Sequence, residues 1–422
     1  MSGVETVERP GNNSSSIAAA LDRFLTDDKS RGAPHDVLAA VRAQSPVYKS
    51  GVGTWVVTGY DAAVSLLRDP RLSRWEAAKT ELGIDGAGNP ELREALSANT
   101  KMMINRDEPD HTRLRRLVRL AFLPASIDTW RQRVRDMSKM LVDRVSDKRE
   151  FDFLKEVAFP LPEIVICEML GVPHADHALW SQWSHDSVAA NRTPAPTGEN
   201  LRRVQDATLG FHRYFKNLIA ERRKNLGDDL ISTLLKAEAE GDKLTEDELI
   251  GTVVLLIQAG HETTANLIAT GMYHLLTHPA AYRDLVADPE KVTQAVEEFL
   301  RFDGPASFVM PRMALEDIEI GEVSIPAGDR VLFVLMAINR DPKIFDDPDV
   351  LNLGRKNLHR HIGFGVGAHL CIGRQLALME ANTMFREVMR GLPDLELVEA
   401  PTYAAAFTRG LTALKVRRKS LA

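Results

Sequence analysis

The stretch HIGFGVGAHLCIGRQLA, His361 to Ala377, sets one of the chain's two cysteines just after three glycines and a histidine, at the mouth of a helix. Gly363, Gly365 and Gly367 carry no Cβ, so the backbone there can turn sharply and press against a flat partner. Beyond Gly373, RQLALMEANTMFREVM reads as an amphipathic helix. A thiol at a helix N-terminus meets unpaired N–H groups and the positive end of the dipole. The expectation for Cys371 is therefore a lowered pKa and a favoured thiolate. The bland alternative is a small buried apolar side chain, which is the reading for Cys167 in IVICEML.

The bulk composition narrows the classes. With 422 residues, 44% of them hydrophobic, the chain can bury a large core, and length alone would suggest two or three domains. A net charge of −6 without a basic tail argues against a nucleic-acid partner. Two distant cysteines fit a reducing compartment rather than a disulfide framework. Neither a signal-peptide pattern nor an apolar run of membrane-spanning length is visible, so a cytoplasmic protein with no membrane anchor is expected. Residues 1–16 are polar and read as a disordered segment, with one domain over 17–422.

Helical patterns dominate that domain. IAAALDRFL, DVLAAVRAQ and DHTRLRRLVRLAF have apolar residues at helical spacing, and PVYKSGVGTWVVTG reads as a hairpin around Gly51 and Gly53. Residues 72–105 look less regular, and NRTPAPTGE (191–199) is a polar loop. The longest helix candidate begins at a capping box, Thr245 with Glu248, and runs to Pro279. It would span about 50 Å and is apolar nearly all round, so it passes through the centre of the fold. Short strands follow around DIEIGEVSIPAGDRVLFVLM, with turns at Gly321 and Gly328. The expected class is mainly α with minor β: one large domain, a long central helix and small peripheral sheets.

A lone thiolate cannot supply the four ligands of structural zinc, but it suits a single axial bond to haem iron. FGVGAHLCIG, Phe364 to Gly373, resembles the haem-binding loop of the cytochrome P450 family, Phe-Gly-x-Gly-x-(Arg or His)-x-Cys-x-Gly, at all six fixed positions. The resemblance implies that Cys371 is the axial ligand of haem b, with Phe364, Gly365, His369 and Gly373 shaping its loop. AGHETT, Ala259 to Thr264, lies in the middle of the long helix, where a Thr hydroxyl can bond the Ala259 carbonyl and loosen the helix. Taken alone the pair could be no more than a satisfied buried Glu beside a common Thr doublet. By resemblance, Glu262 and Thr263 are the catalytic acid–alcohol pair that relays protons to dioxygen, with Gly260 leaving room over the haem. In EEFLR, Glu298 and Arg301 share a helix face. The family's buried structural triad then implies Arg355 as the third member, although the spacing from Arg355 to His361 is one residue longer than the usual pattern. His111, Arg115, Arg312 and His369 match positions that hold the haem propionates.

The resemblance runs from the hairpin near Trp55 to FTRGLTALKV, with its motifs in the family's order. It implies a monooxygenase that inserts one oxygen atom from O2 into an apolar small molecule, in bacterial secondary metabolism. No flavin or nicotinamide fingerprint is present, so electrons from NAD(P)H are expected through a separate ferredoxin and its reductase. Arg113, Arg116, Arg119, His359, Arg360 and Arg374 are the expected docking patch. Expected pocket residues are Val253, Leu256, Ile257, Ser307, Phe308, Val309, Phe407 and Thr408. Nothing in the sequence calls for more than a monomer. A hydrogen-peroxide-driven peroxygenase, a haem protein that binds without turnover, and a helical protein with an inert Cys371 are the competing readings.

Overall fold

A computed structural model describes residues 14–32, 34–81, 89–188, 197–239, 244–404 and 408–420. The apolar stretch expected as one long helix forms two, Glu246–Gly260 and Glu262–Thr277, separated at His261. Its start is fixed by the capping box: Glu248 N donates to Thr245 Oγ1 at 3.2 Å, and Thr245 N donates to Glu248 Oε2 at 2.8 Å. At the break, Thr263 Oγ1 donates to Ala259 O at 2.9 Å and Thr264 Oγ1 to Gly260 O at 3.3 Å, so hydroxyls serve these carbonyls. His261 anchors the break in the interior. It is buried, its Nδ1 donates to Ile257 O at 2.8 Å, and Phe159 and Trp180 meet its ring edge-on. Burial pushes its pKa down to about 4, so the imidazole is neutral at physiological pH.

Around this broken helix pack the helices Pro160–Leu170, Val292–Asp303 and Arg374–Gly391, in the largest hydrophobic cluster. The approach is close enough to demand glycine at one point. A Cβ on Gly271 would lie 2.7 Å from Phe299 and 2.8 Å from Phe385. Two smaller clusters sit against the main sheet and under the N-terminal helices Ser14–Thr26 and His35–Gln44.

The main sheet has five strands in the order Val47–Lys49, Trp55–Val57, Arg330–Val334, Phe308–Ala314, Leu72–Ser73. The pair Trp55–Val57 and Arg330–Val334 is parallel, and the other pairs are antiparallel. The register shifts between Val309 and Arg312, across Pro311, which has no N–H to give. A three-stranded sheet (Glu150–Asp152, Lys415–Arg418, Leu395–Leu397) and the hairpin Ile318–Ile320/Val323–Ile325 complete the β component.

Three expectations change. Residues 1–13 lie outside the described residues, but Ser14 to Ser16 already belong to a helix rather than to a disordered segment. The described residues of the span 72–105 are largely helical, with Arg74–Glu81 and Pro90–Thr100; the second is started by Asn89, whose Oδ1 accepts from Glu91 N at 3.0 Å. Of the expected loop 191–199, residues 191–196 lie outside the described residues, and Gly198 opens the helix Gly198–Lys224. Among the described residues no helix is long and apolar enough to cross a membrane.

Candidate functional site

The glycine loop is held by its own backbone. Cys371 N donates to Phe364 O at 2.9 Å and Gly365 N donates to Ile362 O at 2.9 Å. Gly365 and Gly367 have φ of +72° and +76°, and a Cβ on Gly367 would stand 2.9 Å from Leu67 O, so no other residue fits there without strain. The Arg374 guanidinium covers the half-buried Phe364 ring at 5.6 Å. The helix Arg374–Gly391 begins just past Gly373, and the amides of Gly373 and Arg374 point at the Cys371 sulfur.

The Cys371 side chain is exposed on one side, while protein crowds it on the others. Its pKa moves opposite to the expected direction. Burial pushes the thiol above its usual value, and the two amides with Arg115 and Arg374 offset this only in part. The helix end is aimed as the sequence suggests, but desolvation outweighs it. Cys167 is wholly buried, as expected.

Four expected cationic positions converge from three parts of the chain. His111 and Arg115 come from the helix Asp110–Arg119, Arg312 from the bulged strand, and His369 from the cysteine loop. The His111 and His369 rings lie 4.1 Å apart, and Arg115 Nη2 donates to Leu370 O at 2.6 Å. Burial, then Arg312, His111 and Arg115, hold the His369 pKa down to about 2; burial, then Arg115 and Arg312, lower that of His111. Arg312 is 5% exposed, and burial followed by Arg74 brings its pKa down to about 10.

Arg74 was not singled out in the sequence. Its strand-to-helix position reads as surface, and it enters the interior only because Leu72–Ser73 pairs with the strand carrying Arg312. It is 1% exposed, donates to Glu81 and Asn105, and its Nε has no acceptor among the described residues. Buried positive charge that depresses its own neighbours' proton affinity is matched to an anionic group. With one exposed thiol and no cluster of three His, Cys, Asp or Glu side chains for a metal among the described residues, the donor set fits haem.

At the helix break the accessible residues are Gln258, Ala259, Gly260, Glu262 and Thr263. A Cβ on Gly260 would make only an ordinary 3.5 Å contact with Ile166, so the surrounding protein does not itself demand glycine. Glu262 Oε1 accepts from Thr408 Oγ1 at 2.8 Å. The expected pocket residues divide. Val253 and Ile257 are 0% exposed and Leu256 5%, all within the main core, because the open edge lies further round the helix. Phe308 turns away and packs at a tilt against Phe24, ring centroids 5.6 Å apart, whereas Val309, next along the strand, faces the opposite side and is half-buried. Ser307 is buried, Thr408 is half-buried, and Phe407 lies outside the described residues.

Glu298, Arg301 and Arg355 do meet. Arg301 Nε and Nη2 donate to Glu298 at 2.6 and 2.7 Å, and Arg355 Nε donates at 3.2 Å, with all three side chains buried. Arg301 Nη1 also donates to Asn339 O at 3.1 Å, while Asn339 Oδ1 accepts from Ile362 N at 2.8 Å, which ties the triad to the cysteine loop. One surface groove is lined by charged residues such as Lys291, Glu297, Lys356 and His359, and it contains none of the cysteine-loop or helix-break residues.

A family model described as Cytochrome P450 matches residues 83–392. The chain is 35% identical to the polyketide biosynthesis cytochrome P450 PksS of Bacillus subtilis (strain 168), over 91% of this chain and 95% of that protein. To the cytochrome P450 monooxygenase PikC of Streptomyces venezuelae it is 37% identical, over 91% of each. The crystal structure of P450BioI in complex with an acyl carrier protein ligated to hexadec-9Z-enoic acid superposes with a TM-score of 0.84 at 33% identity, covering 92% of this chain and 98% of that one. The expected mainly helical fold with small sheets is the one observed. Haem ligated by a thiolate, O2 as co-substrate, and NAD(P)H acting through redox partners are general to these proteins. The chain belongs to the cytochrome P450 family.

Proposed function

We propose that this haem monooxygenase hydroxylates or epoxidises a medium-to-large, largely apolar molecule of secondary metabolism, such as a polyketide or fatty-acyl chain, with electrons from a separate ferredoxin and its reductase. The observation that carries the reading is the meeting of Cys371, on which two amides converge, with the half-buried Arg115 and the buried Arg312 and Arg74. The substrate class is supported by the polyketide pathway named for PksS and the acyl chain bound with P450BioI.

In this reading Cys371 would hold the haem through its thiolate, and Arg115, Arg312, His111 and His369 would hold its propionates. Bound there, haem supplies oxygen activation and transfer of one oxygen atom to the substrate. The protein's part is to hold, orient and deliver protons. Thr263 Oγ1 donates to Ala259 O and can turn to pass its proton into the site, and Glu262 is the acid beside it that resupplies the hydroxyl. Gly260 and Ala259 keep the wall low, and the half-buried Val309 and Thr408 border the substrate. The loop Gly363–Gly367 would face the haem with glycine backbone, and Glu298, Arg301 and Arg355 brace it through Asn339.

On the docking face, Arg113 is already engaged by Glu248 and Asp110. The exposed Arg119 and Arg360 are the better test of a basic patch for an acidic ferredoxin. The haem-loaded enzyme is presented with free fatty acids, polyketide macrolactones and acyl-carrier-protein-linked acyl chains, and spin-state shift and NADPH-dependent product are read. Product from an apolar ligand with ferredoxin supports the proposal. Turnover supported better by hydrogen peroxide than by ferredoxin, or ligand binding without product, would assign one of the competing functions. Arg119→Glu with Arg360→Glu is expected to slow reduction by ferredoxin at low salt and to leave dithionite reduction unchanged.

A further inference from the structure

Glu262 is bonded to a part of the chain 146 residues away. Thr408 Oγ1 donates to its Oε1 at 2.8 Å. Thr408 is placed by a bridge to Ala306 and, next to it, by Arg409 N donating to Pro305 O at 2.7 Å. The segments on either side of residues 405–407, which lie outside the described residues, pair as a hairpin through Ala404 N to Gly410 O at 2.8 Å and Thr412 N to Thr402 O at 2.9 Å.

This hairpin is fastened from beneath. Asp303, 2% exposed, accepts from Arg409 Nε, from Tyr403 OH at 2.6 Å and from His274 Nε2 at 2.8 Å. The Arg409 guanidinium lies over the Tyr403 ring at 3.8 Å. Burial opposes the Asp303 carboxylate, but Arg409 and His274 outweigh it and hold the carboxyl well below its usual range. His274 is on the same helix as Glu262, about 18 Å further along. Between the two points the hairpin lies flush on that helix, since a Cβ on Gly410 would overlap the Asn266 amide at 2.3 Å. The hairpin is thus secured without the Thr408 hydroxyl. What that hydroxyl adds is a fixed direction for the Glu262 carboxyl at the helix break.

We propose that Thr408 is a positioning residue for Glu262: its hydroxyl, presented by the Asp303-anchored hairpin, holds the carboxyl in the orientation from which it resupplies the Thr263 hydroxyl with protons. This rests on the acid role given to Glu262 above. The bond ties the C-terminal hairpin, which borders the substrate side, directly to proton delivery. A ligand that displaces the hairpin therefore changes proton supply as well as fit.

The test compares wild type, Thr408→Val, Thr408→Ser, Glu262→Ala and the double variant Glu262→Ala/Thr408→Val as haem-loaded enzymes. A plant-type ferredoxin, its reductase and NADPH are supplied without added substrate. Reduced dioxygen then leaves as hydrogen peroxide after two electrons and two protons, or as water after four of each, so both NADPH consumption and the peroxide share report proton supply. Thr408→Val is expected to slow consumption about tenfold, the rate equivalent of losing one hydrogen bond to a charged group. Thr408→Ser is expected to restore the rate, and Thr408→Val to add nothing in the Glu262→Ala background. The melting temperatures of the same four variants read the bond itself, and the two single losses are expected not to add. A Thr408→Val enzyme that behaves as wild type while Glu262→Ala is impaired overturns this inference alone, as do losses that multiply in the double variant. A Glu262→Ala enzyme with unchanged consumption overturns the acid role and this inference with it.

Discussion

Glu298→Gln keeps the shape of the buried acid and removes its charge. The carboxylate accepts from Arg301 Nε at 2.6 Å, Arg301 Nη2 at 2.7 Å, Arg355 Nε at 3.2 Å and Asn352 N at 2.9 Å, with Glu298 at 0%, Arg301 at 1% and Arg355 at 6% exposure. Without the charge, two buried guanidinium groups face each other across a neutral amide that also brings two N–H donors. Breaking a buried pair in this way costs about 3–5 kcal/mol, a large share of the ~5–15 kcal/mol that holds a folded domain together. The damage is expected to reach the cysteine loop through Asn339 and Ile362. Urea unfolding of the haem-loaded enzyme, followed by tryptophan fluorescence and by Soret absorbance, reads both effects. A loss of about 3 kcal/mol with both signals shifted together is the expected result. A stability within about 1 kcal/mol of wild type, the range of an exposed pair, would refute the reasoning.

Glu380, on the helix after the cysteine loop, is 2% exposed, its Oε2 has no partner among the described residues, and burial pushes its carboxyl well above the usual range. A raised folded pKa makes its contribution greatest below the unfolded value of 4.5 and erodes it as pH rises through the folded value. Glu380→Gln does not titrate, so its melting temperature relative to wild type is expected to climb from about pH 5 to about pH 9, and a constant difference would contradict the burial argument. Gly367→Ala meets both a positive φ and Leu67 O at 2.9 Å, whereas Gly53→Ala meets only a positive φ in open space. Gly53→Ala is expected to cost about 1–2 kcal/mol and Gly367→Ala more, with weaker haem retention. Equal urea midpoints for the two would show that the Leu67 carbonyl yields freely.

The loop around Cys371, the loosening at AGHETT and the Glu298–Arg301 pair are legible because each is written in residues at fixed short spacing, whereas Arg355, 57 residues from Glu298, is reached only through the family resemblance. Other features depend on contacts that spacing does not encode. The central helix is apolar nearly all round, so its sequence carries no phase, and the pocket residues were placed at Val253 and Ile257 rather than at Gln258 and Ala259. Phe308 and Val309 alternate as strand residues must, but which face meets the N-terminal helices depends on the packing of Phe24. The helices Arg74–Glu81 and Pro90–Thr100 are short and only weakly amphipathic, which hid them. The sign of the Cys371 shift was missed because a helix end can be read locally, whereas burial is a property of the whole fold. Arg74 and the bond from Thr408 to Glu262 arise from pairings across the chain and leave no local trace.

In the proposed function Cys371 would hold the haem iron as a thiolate. The most direct measurement is the absorption spectrum of the dithionite-reduced, haem-loaded protein with carbon monoxide, for wild type and for Cys371→Ser. A strongly red-shifted Soret band in wild type that is lost in Cys371→Ser is the predicted result. A band at the position of a neutral-ligand haem in wild type, or a red shift that survives in Cys371→Ser, would contradict it.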